Sequence, residues 1–194
     1  WLAQQLTSLG IEVKRITVVD DEEIDIIKIT KEVLERKPQI VIYTGGLGPT
    51  FDDITVESVS KALNLPIELN EDALNMIKKV YNKLGLPLTE ERIKMAKMPK
   101  GSLPLPNSVG TAPGVFLIFN ETIIIMLPGV PEEMKSIFTE SVRPRLIELK
   151  DRGVYLEKIF KVHGIPESEA AKVVKDVKKQ FKIVYIKSHP RGYM

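Results

Sequence analysis

The chain has 194 residues, of which 43% are hydrophobic and 28% are charged, a composition typical of a globular protein with a substantial core. The 28 basic and 26 acidic residues are interleaved, so the net charge of +2 does not indicate a nucleic-acid-binding surface. Cysteine is absent, which excludes disulfides and thiolate metal sites and suits a reducing cytoplasm. Since no apolar run reaches the length of a membrane span, we expect a cytoplasmic protein that binds neither nucleic acid nor membrane.

The first third of the chain alternates between helical and strand-like patterns. Its strand patterns are short and continuously apolar, and helical spacing of apolar residues separates them. Alternation of this kind predicts a parallel sheet with helices on both faces. The predicted elements are a helix over residues 1–9, a strand over 11–19, a helix over 24–34 and a strand over 39–43.

The rest of the chain continues this alternation of helices and strands, and a new set of elements begins after about residue 150. Roughly forty residues follow that point, too few for an independent core. We therefore expect an α/β first domain over residues 1–150 and the start of an α+β subdomain over 151–194. The predicted elements are helices over 56–63 and 72–84, a short helix from Thr89, a loop over 99–113, a hairpin of 115–119 with 122–127, a helix from 131, and strands over 156–162 and 182–187 around a helix over 168–180.

The most informative segment is a strand followed by a glycine-rich turn, two carboxylates and a helix start, over residues 40–55. Glycine allows backbone N–H groups to approach an anion closely, and a helix N-terminus adds partial positive charge. Gly45, Gly46 and Gly48 exceed what a tight turn needs, which favours ligand approach. The segment lacks the Gly-Lys-Ser/Thr of a P-loop, and Phe51 occupies the third glycine of a dinucleotide fingerprint. It is a candidate site for a diphosphate or nucleotide with a metal nearby.

Two aspartate pairs follow predicted parallel strands, where ligands bind in open α/β sheets. Asp52 and Asp53 come after the glycine turn, and Asp20 and Asp21 come after the preceding predicted strand. One aspartate of a pair is explained by capping of the next helix. Its like-charged neighbour favours a bound divalent cation, and both interpretations remain open at this point.

Two further segments offer polar groups before or after predicted strands. The first precedes a strand, and its hydroxyls and backbone donors suit a phosphate or a ribose, although a surface connector explains it equally. The second is another strand-to-helix turn, and its proline is also explained by the frequent occurrence of proline at the first position of a helix. The candidate ligand-binding residues are Ser108, Gly110, Thr111, Pro113 and Gly114 in the first segment and Pro128, Gly129 and Glu133 in the second.

These motifs together resemble those of a known family. Residues 44–55 (TGGLGPTFDDIT), 112–114 (APG) and 127–134 (LPGVPEEM) are similar to the N-terminal domain of CinA-like proteins. That domain is molybdopterin-binding-like and similar to the MoaB and MogA proteins of molybdenum-cofactor synthesis. The resemblance covers the chain to about residue 150, and the segment from Tyr155 onward looks like the start of the KH-like subdomain of CinA proteins.

The resemblance implies a three-layer α/β/α sandwich with a mostly parallel sheet that is mixed at one edge. It also implies that Asp20 and Asp53 correspond to acids at the family's pterin and nucleotide site, where Mg²⁺ binds. Asp52 stands where MogA-like proteins have arginine, which fits the CinA-like branch better than an adenylyltransferase. The family's N-terminal strand and its C-terminal deamidase domain are not in this sequence. The deamidase reaction is therefore not assigned to this chain.

By this resemblance we expect a metal-dependent pyrophosphatase that acts on a nucleotide diphosphate such as ADP-ribose. The turn from Thr44 to Thr50 would hold the diphosphate, and Asp53, with Asp52 or Asp20 assisting, would hold Mg²⁺, Mn²⁺ or Co²⁺. Asp52 or Glu133 is the candidate general base. The alternatives are adenylyl transfer to a pterin phosphate and a regulatory module that binds nucleotide without turnover. The expected assembly is a homo-oligomer, with a dimer favoured by the family.

Overall fold

The computed structural model describes residues 1–149, 158, 160–181 and 186. The chain divides into two units, Trp1–Tyr155 and Leu156–Met194, a division close to the boundary predicted from the sequence. The elements of the first unit are α1 (Leu2–Ser8), α2 (Glu23–Glu35), β1 (Ile40–Thr44), α3 (Thr55–Leu63), β2 (Ile67–Leu69), α4 (Glu71–Lys83), α5 (Glu90–Lys94), β3 (Lys97–Pro99), β4 (Leu103–Leu105), β5 (Gly114–Phe119), β6 (Thr122–Leu127), α6 (Pro131–Ile137), a π-helical turn (Phe138–Val142) and α7 (Arg143–Leu149).

The main sheet has the strand order β1-β6-β5-β4. β1 and β6 are parallel, whereas β5 is antiparallel to both β6 and β4. The antiparallel part arises from the predicted hairpin, because Asn120 and Glu121 adopt φ of 49° and 69°, as a tight two-residue turn requires. The predicted α/β class is confirmed, and the antiparallel share of the sheet described is larger than the expected mixed edge.

Helices cover both faces of this sheet, as the three-layer prediction requires. Alternate residues of β6 point to opposite faces. Ile124 and Met126 belong to the core shared with α2, α3 and α4. Ile125 and Leu127 belong to the core shared with α6, α7 and the π-helical turn, against which α1 also packs.

The predicted strand over residues 11–19 is wrong, because this segment has no regular secondary structure and pairs with no described strand. Two of its β-branched side chains face solvent: Ile16 is 76% exposed and Val18 is 92% exposed. A strand needs a neighbour to satisfy its backbone N–H and C=O groups. An apolar pattern alone therefore does not form a strand.

Parallel pairing of β1 with β6 brings two loops to one edge of the sheet. Thr44 and Leu127, the last residues of the two strands, are register partners. The N–H of Gly45 donates to the carbonyl oxygen of Leu127 at 2.9 Å. A Cβ on Gly129 would lie 3.2 Å from the Cα of Gly45, so the two turns are in close contact.

The second unit contains α8 (Glu167–Gln180), which confirms the helix predicted over 168–180. Most of the predicted strands over 156–162 and 182–187 lies outside the described residues, and residues 158, 160–162 and 186 are not in a strand. Within the described part of the chain, no helix has the length and apolar character needed to cross a membrane.

Candidate functional site

The glycine loop, residues 45–53, is compact because side chains of the loop and of the first residue of α3 pack against its glycines. Gly46 has a φ of +68°, and a Cβ there would lie 2.2 Å from the Oγ1 of Thr55. A Cβ on Gly48 would lie 2.5 Å from the Oδ2 of Asp53. The internal packing of the loop therefore explains both glycines, whereas the sequence interpretation assigns them to ligand approach.

Thr50 organises the two carboxylates of the loop. The Oδ2 atom of Asp53 accepts a hydrogen bond from the backbone N–H of Thr50 at 2.9 Å and lies 2.6 Å from its hydroxyl. The same hydroxyl also contacts the Oδ1 of Asp52, and this contact is the main reason that the pKa of Asp52 is lowered. The N-cap residue of α3 is Ile54, with no side-chain cap. Neither aspartate caps the helix, so the capping interpretation is wrong.

The loop lines a small, solvent-open cleft. Leu47 and Gly48 are among the residues that line it, and their N–H groups donate to no described residue. Val56 and Glu57, from the uncapped first turn of α3, line the same cleft. Free N–H groups at a helix N-terminus form an anion-binding environment.

Lys94, the last residue of α5, also lines this cleft and was not predicted from the sequence. Its Nζ donates to the carbonyl oxygens of Asp53 at 2.8 Å and Thr50 at 3.1 Å. The lysine lies 41 residues from Asp53 along the chain, and a lysine that ends a short helix is typical of a solvated surface. No local sequence signal distinguishes it.

The asparagine loop, residues 106–113, is ordered by Asn107. The side-chain oxygen of Asn107 accepts hydrogen bonds from the N–H groups of Val109 at 3.1 Å and Gly110 at 2.8 Å. Its amide donates to the carboxylate of Glu133 at 2.6 Å and to the carbonyl oxygen of Ala112 at 2.9 Å. The Gly110 donor expected for a ligand is therefore already used, and Glu133 anchors the loop.

The remaining predicted binding residues are distributed unevenly around this edge. Pro113 lines the glycine-loop cleft together with Gly46 and Gly48. Ser108 instead contacts the hydroxyl of Ser136 at 2.7 Å and the carboxylate of Glu140 at 2.9 Å. Thr44 and Gly129 are exposed, Thr111 is half-buried, and Gly114 and Pro128 are buried.

The structure places Asp20 in a different cleft from Asp53, with Asp25, Lys28 and Glu32 among its neighbours. Among the residues that the structure describes, no three carboxylates or histidines are arranged as a metal site. The Oδ1 of Asp53 accepts no hydrogen bond from a described residue. Mg²⁺ is commonly held by one or two carboxylates, water and substrate phosphates, so the donors of this loop fit such a cation. Sharing of that cation with Asp20 stays a prediction.

Comparison with known proteins places the chain in a family. The model for a probable molybdopterin binding domain matches residues 1–148. A protein of Pyrobaculum arsenaticum is 50% identical over 196 residues, covering 100% of this chain and 72% of the relative. A protein of Sulfurisphaera tokodaii is 47% identical over 193 residues, covering 98% and 72% respectively.

Solved structures give the same result for the fold. CinA from Thermoplasma acidophilum, a protein described as of unknown function, matches with a TM-score of 0.68 and 40% identity over 75% of this chain and 84% of that one. A molybdopterin biosynthesis protein from Mycobacterium abscessus matches with a TM-score of 0.50 and 18% identity over 76% and 78%. The second likeness is evidence for the fold alone.

Proposed function

Because the chain belongs to the family of molybdopterin-binding domains, as a CinA-like member of the MoaB/MogA superfamily, we propose that it binds a nucleotide diphosphate such as ADP-ribose in the glycine-loop cleft. We further propose that it hydrolyses this ligand with the help of a divalent cation.

The observation that carries the proposal is the pair of unpaired N–H groups of Leu47 and Gly48, two residues that line the cleft together with the first turn of α3, a helix without a side-chain cap. Backbone donors of a folded protein are nearly always paired with protein, water or ligand. Free donors of residues that line a cleft match the oxygen atoms of a phosphate, and a preorganised arrangement stabilises charge that develops during reaction. Diphosphate binding at this point uses groups that the fold leaves free.

The carboxylates of the loop supply the second part of the proposal. Asp53, with one oxygen fixed by Thr50 and the other free, would hold the cation, with Asp52 beside it. A bound divalent cation neutralises phosphate charge and lowers the pKa of a water molecule. Asp52 is the proposed proton acceptor, because it adjoins Asp53 in the same loop whereas Glu133 is engaged by Asn107. Attack of water on one phosphorus of ADP-ribose breaks the bridging P–O bond and releases AMP and ribose 5-phosphate.

The test is an incubation of the protein with ADP-ribose and Mg²⁺, Mn²⁺ or Co²⁺, with AMP measured by chromatography. We expect the parent to form AMP and Asp53→Asn to lose at least about 100-fold in rate, the size of effect seen when a group that stabilises transition-state charge is removed. The thermal unfolding midpoint of the variant should stay near that of the parent. Asp20→Asn tests the predicted shared cation, since an equal loss supports it and full activity excludes it.

A second candidate is binding of a pterin phosphate, with or without adenylyl transfer, because the matching family model describes a molybdopterin binding domain. This function would use the same cleft, and in adenylyl transfer the pterin phosphate would replace water as the group that attacks the nucleotide. Absence of AMP with every metal, despite calorimetric binding of ADP-ribose, would exclude hydrolysis. Formation of an adenylylated pterin from ATP would then identify a transferase, and its absence would leave a binding module without turnover.

A further inference from the structure

The ammonium group of Lys94 is held in place by hydrogen bonds to the backbone of the glycine loop. Its side chain is half-buried, and its Nζ donates to two backbone carbonyl oxygens of the loop, those of Thr50 and Asp53. Within the described part of the chain it forms no ion pair with a carboxylate, although Asp52 and Asp53 belong to the same loop. The charge of this lysine is therefore positioned without being neutralised by a direct partner.

The geometry leaves one N–H of this ammonium group available. A lysine ammonium has three donors, and two of them are used by the loop carbonyls. Lys94 lines the same cleft as Leu47 and Gly48, whose N–H groups donate to no described residue. The third donor is thus available to a group that enters this cleft.

A diphosphate in this cleft needs a nearby positive charge, because acidic side chains also line the cleft. Asp53 and Glu57 line the cleft, and two carboxylates repel a diphosphate. Lys97 also lines it but is exposed, and its side chain makes no hydrogen bond to a described residue. Lys94 is the cation whose position is set by hydrogen bonds.

We propose that Lys94 contacts the diphosphate directly through its third N–H while its other two N–H groups hold the loop, so that one charge both orders the loop and recognises the anion. The inference rests on the proposed function, because it names a further residue of the same site. It implies that diphosphate binding has a component that does not require a divalent cation. We expect that component to weaken as salt screens the charge of Lys94.

The absence of cysteine from this sequence allows a chemical test. Lys94→Cys introduces the sequence's only thiol, which 2-bromoethylamine converts to a side chain ending in an ammonium group and iodoacetamide converts to a neutral one. Lys100→Cys, treated identically, is the matched control, because Lys100 is exposed and pairs with Glu68. The measurement is the Kd for ADP-ribose by calorimetry in EDTA, which prevents the proposed metal-dependent hydrolysis, over a series of KCl concentrations.

We expect the neutral form of the Lys94 variant to bind at least about tenfold more weakly, with a shallower dependence of Kd on salt, and the ammonium form to recover both properties. Weaker binding with an unchanged salt dependence would show that Lys94 only holds the loop, which overturns the proposal. Unchanged binding would also overturn it and leave the proposed function intact. If the parent binds neither ADP-ribose nor inorganic pyrophosphate, the proposed function fails as well.

Discussion

The glycine loop and the asparagine loop lie at the same end of the main sheet, yet the side chains that hold them carry opposite charges. In the glycine loop, Lys94 donates to two carbonyl oxygens, and the N–H groups of Leu47 and Gly48 donate to no described residue. In the asparagine loop, Asn107 accepts from two N–H groups and donates in turn to the carboxylate of Glu133. Both loops keep some N–H groups without a described partner, so the charge of the anchoring side chain is what distinguishes them for an anion.

The same contrast explains why the second loop is a weaker candidate for phosphate binding. Its anchor is the carboxylate of Glu133, which accepts from Asn107 at 2.6 Å, and its hydroxyl group on Ser108 faces Glu140. A phosphate would meet negative charge there. Glycine and serine content alone does not distinguish the two loops, whereas the charge of the side chains that hold them does.

The largest expected effect concerns the two glycines that pack most tightly. Gly46→Ala places a methyl group 2.2 Å from the Oγ1 of Thr55 at a φ of +68°, and we expect it to cost about 2–4 kcal/mol of unfolding free energy from backbone strain and overpacking. Gly110→Ala displaces only the carboxylate of Glu133, so its cost should stay below about 1.5 kcal/mol. Urea unfolding measures both. Equal losses would mean that the asparagine loop is as rigidly packed as the glycine loop.

A smaller effect separates loop order from ligand binding. Asn107→Ala leaves the carboxylate of Glu133 and two N–H groups without their partner, and we expect a loss of about 1–3 kcal/mol in stability. The Kd for ADP-ribose should change by less than about threefold, or ~0.7 kcal/mol, because the anion is expected at the other loop. Denaturant unfolding and calorimetry test the two parts. A large loss of affinity would place the asparagine loop in the binding site.

The smallest effect is on the titration of Asp52. Thr50→Val removes the hydroxyl contact that contributes most to lowering the pKa of Asp52, so this pKa should rise towards its ordinary value. In the parent, the folded-state pKa lies below the unfolded one. The stabilising contribution is therefore present above the ordinary pKa of aspartate and is lost as pH falls through the lowered one. Carbon-detected NMR titration of the carboxylate measures the shift, and an unchanged pKa would show that Thr50 does not govern the charge at this loop.

Much of the fold could be predicted from local patterns. The helices α2, α3 and α4 follow from helical spacing of apolar residues, and the β5–β6 hairpin follows from two apolar runs around Asn120 and Glu121. The short strands β2, β3 and β4 were not predicted. Each has three residues, too few to show a period, and their pairing is decided by distant partners.

The sequence by itself determined the α/β class, the place of the glycine turn after a strand, and the presence of two carboxylates beside it, because spacing and residue type are local properties. Only the tertiary structure decided that residues 11–19 do not form a strand, that Asp20 and Asp53 line different clefts, and that Lys94 reaches the loop. A strand, a shared metal site and a distant hydrogen bond each depend on which segments become neighbours. Which segments become neighbours is set by the folding of the whole chain, so it cannot be predicted from a short stretch of sequence.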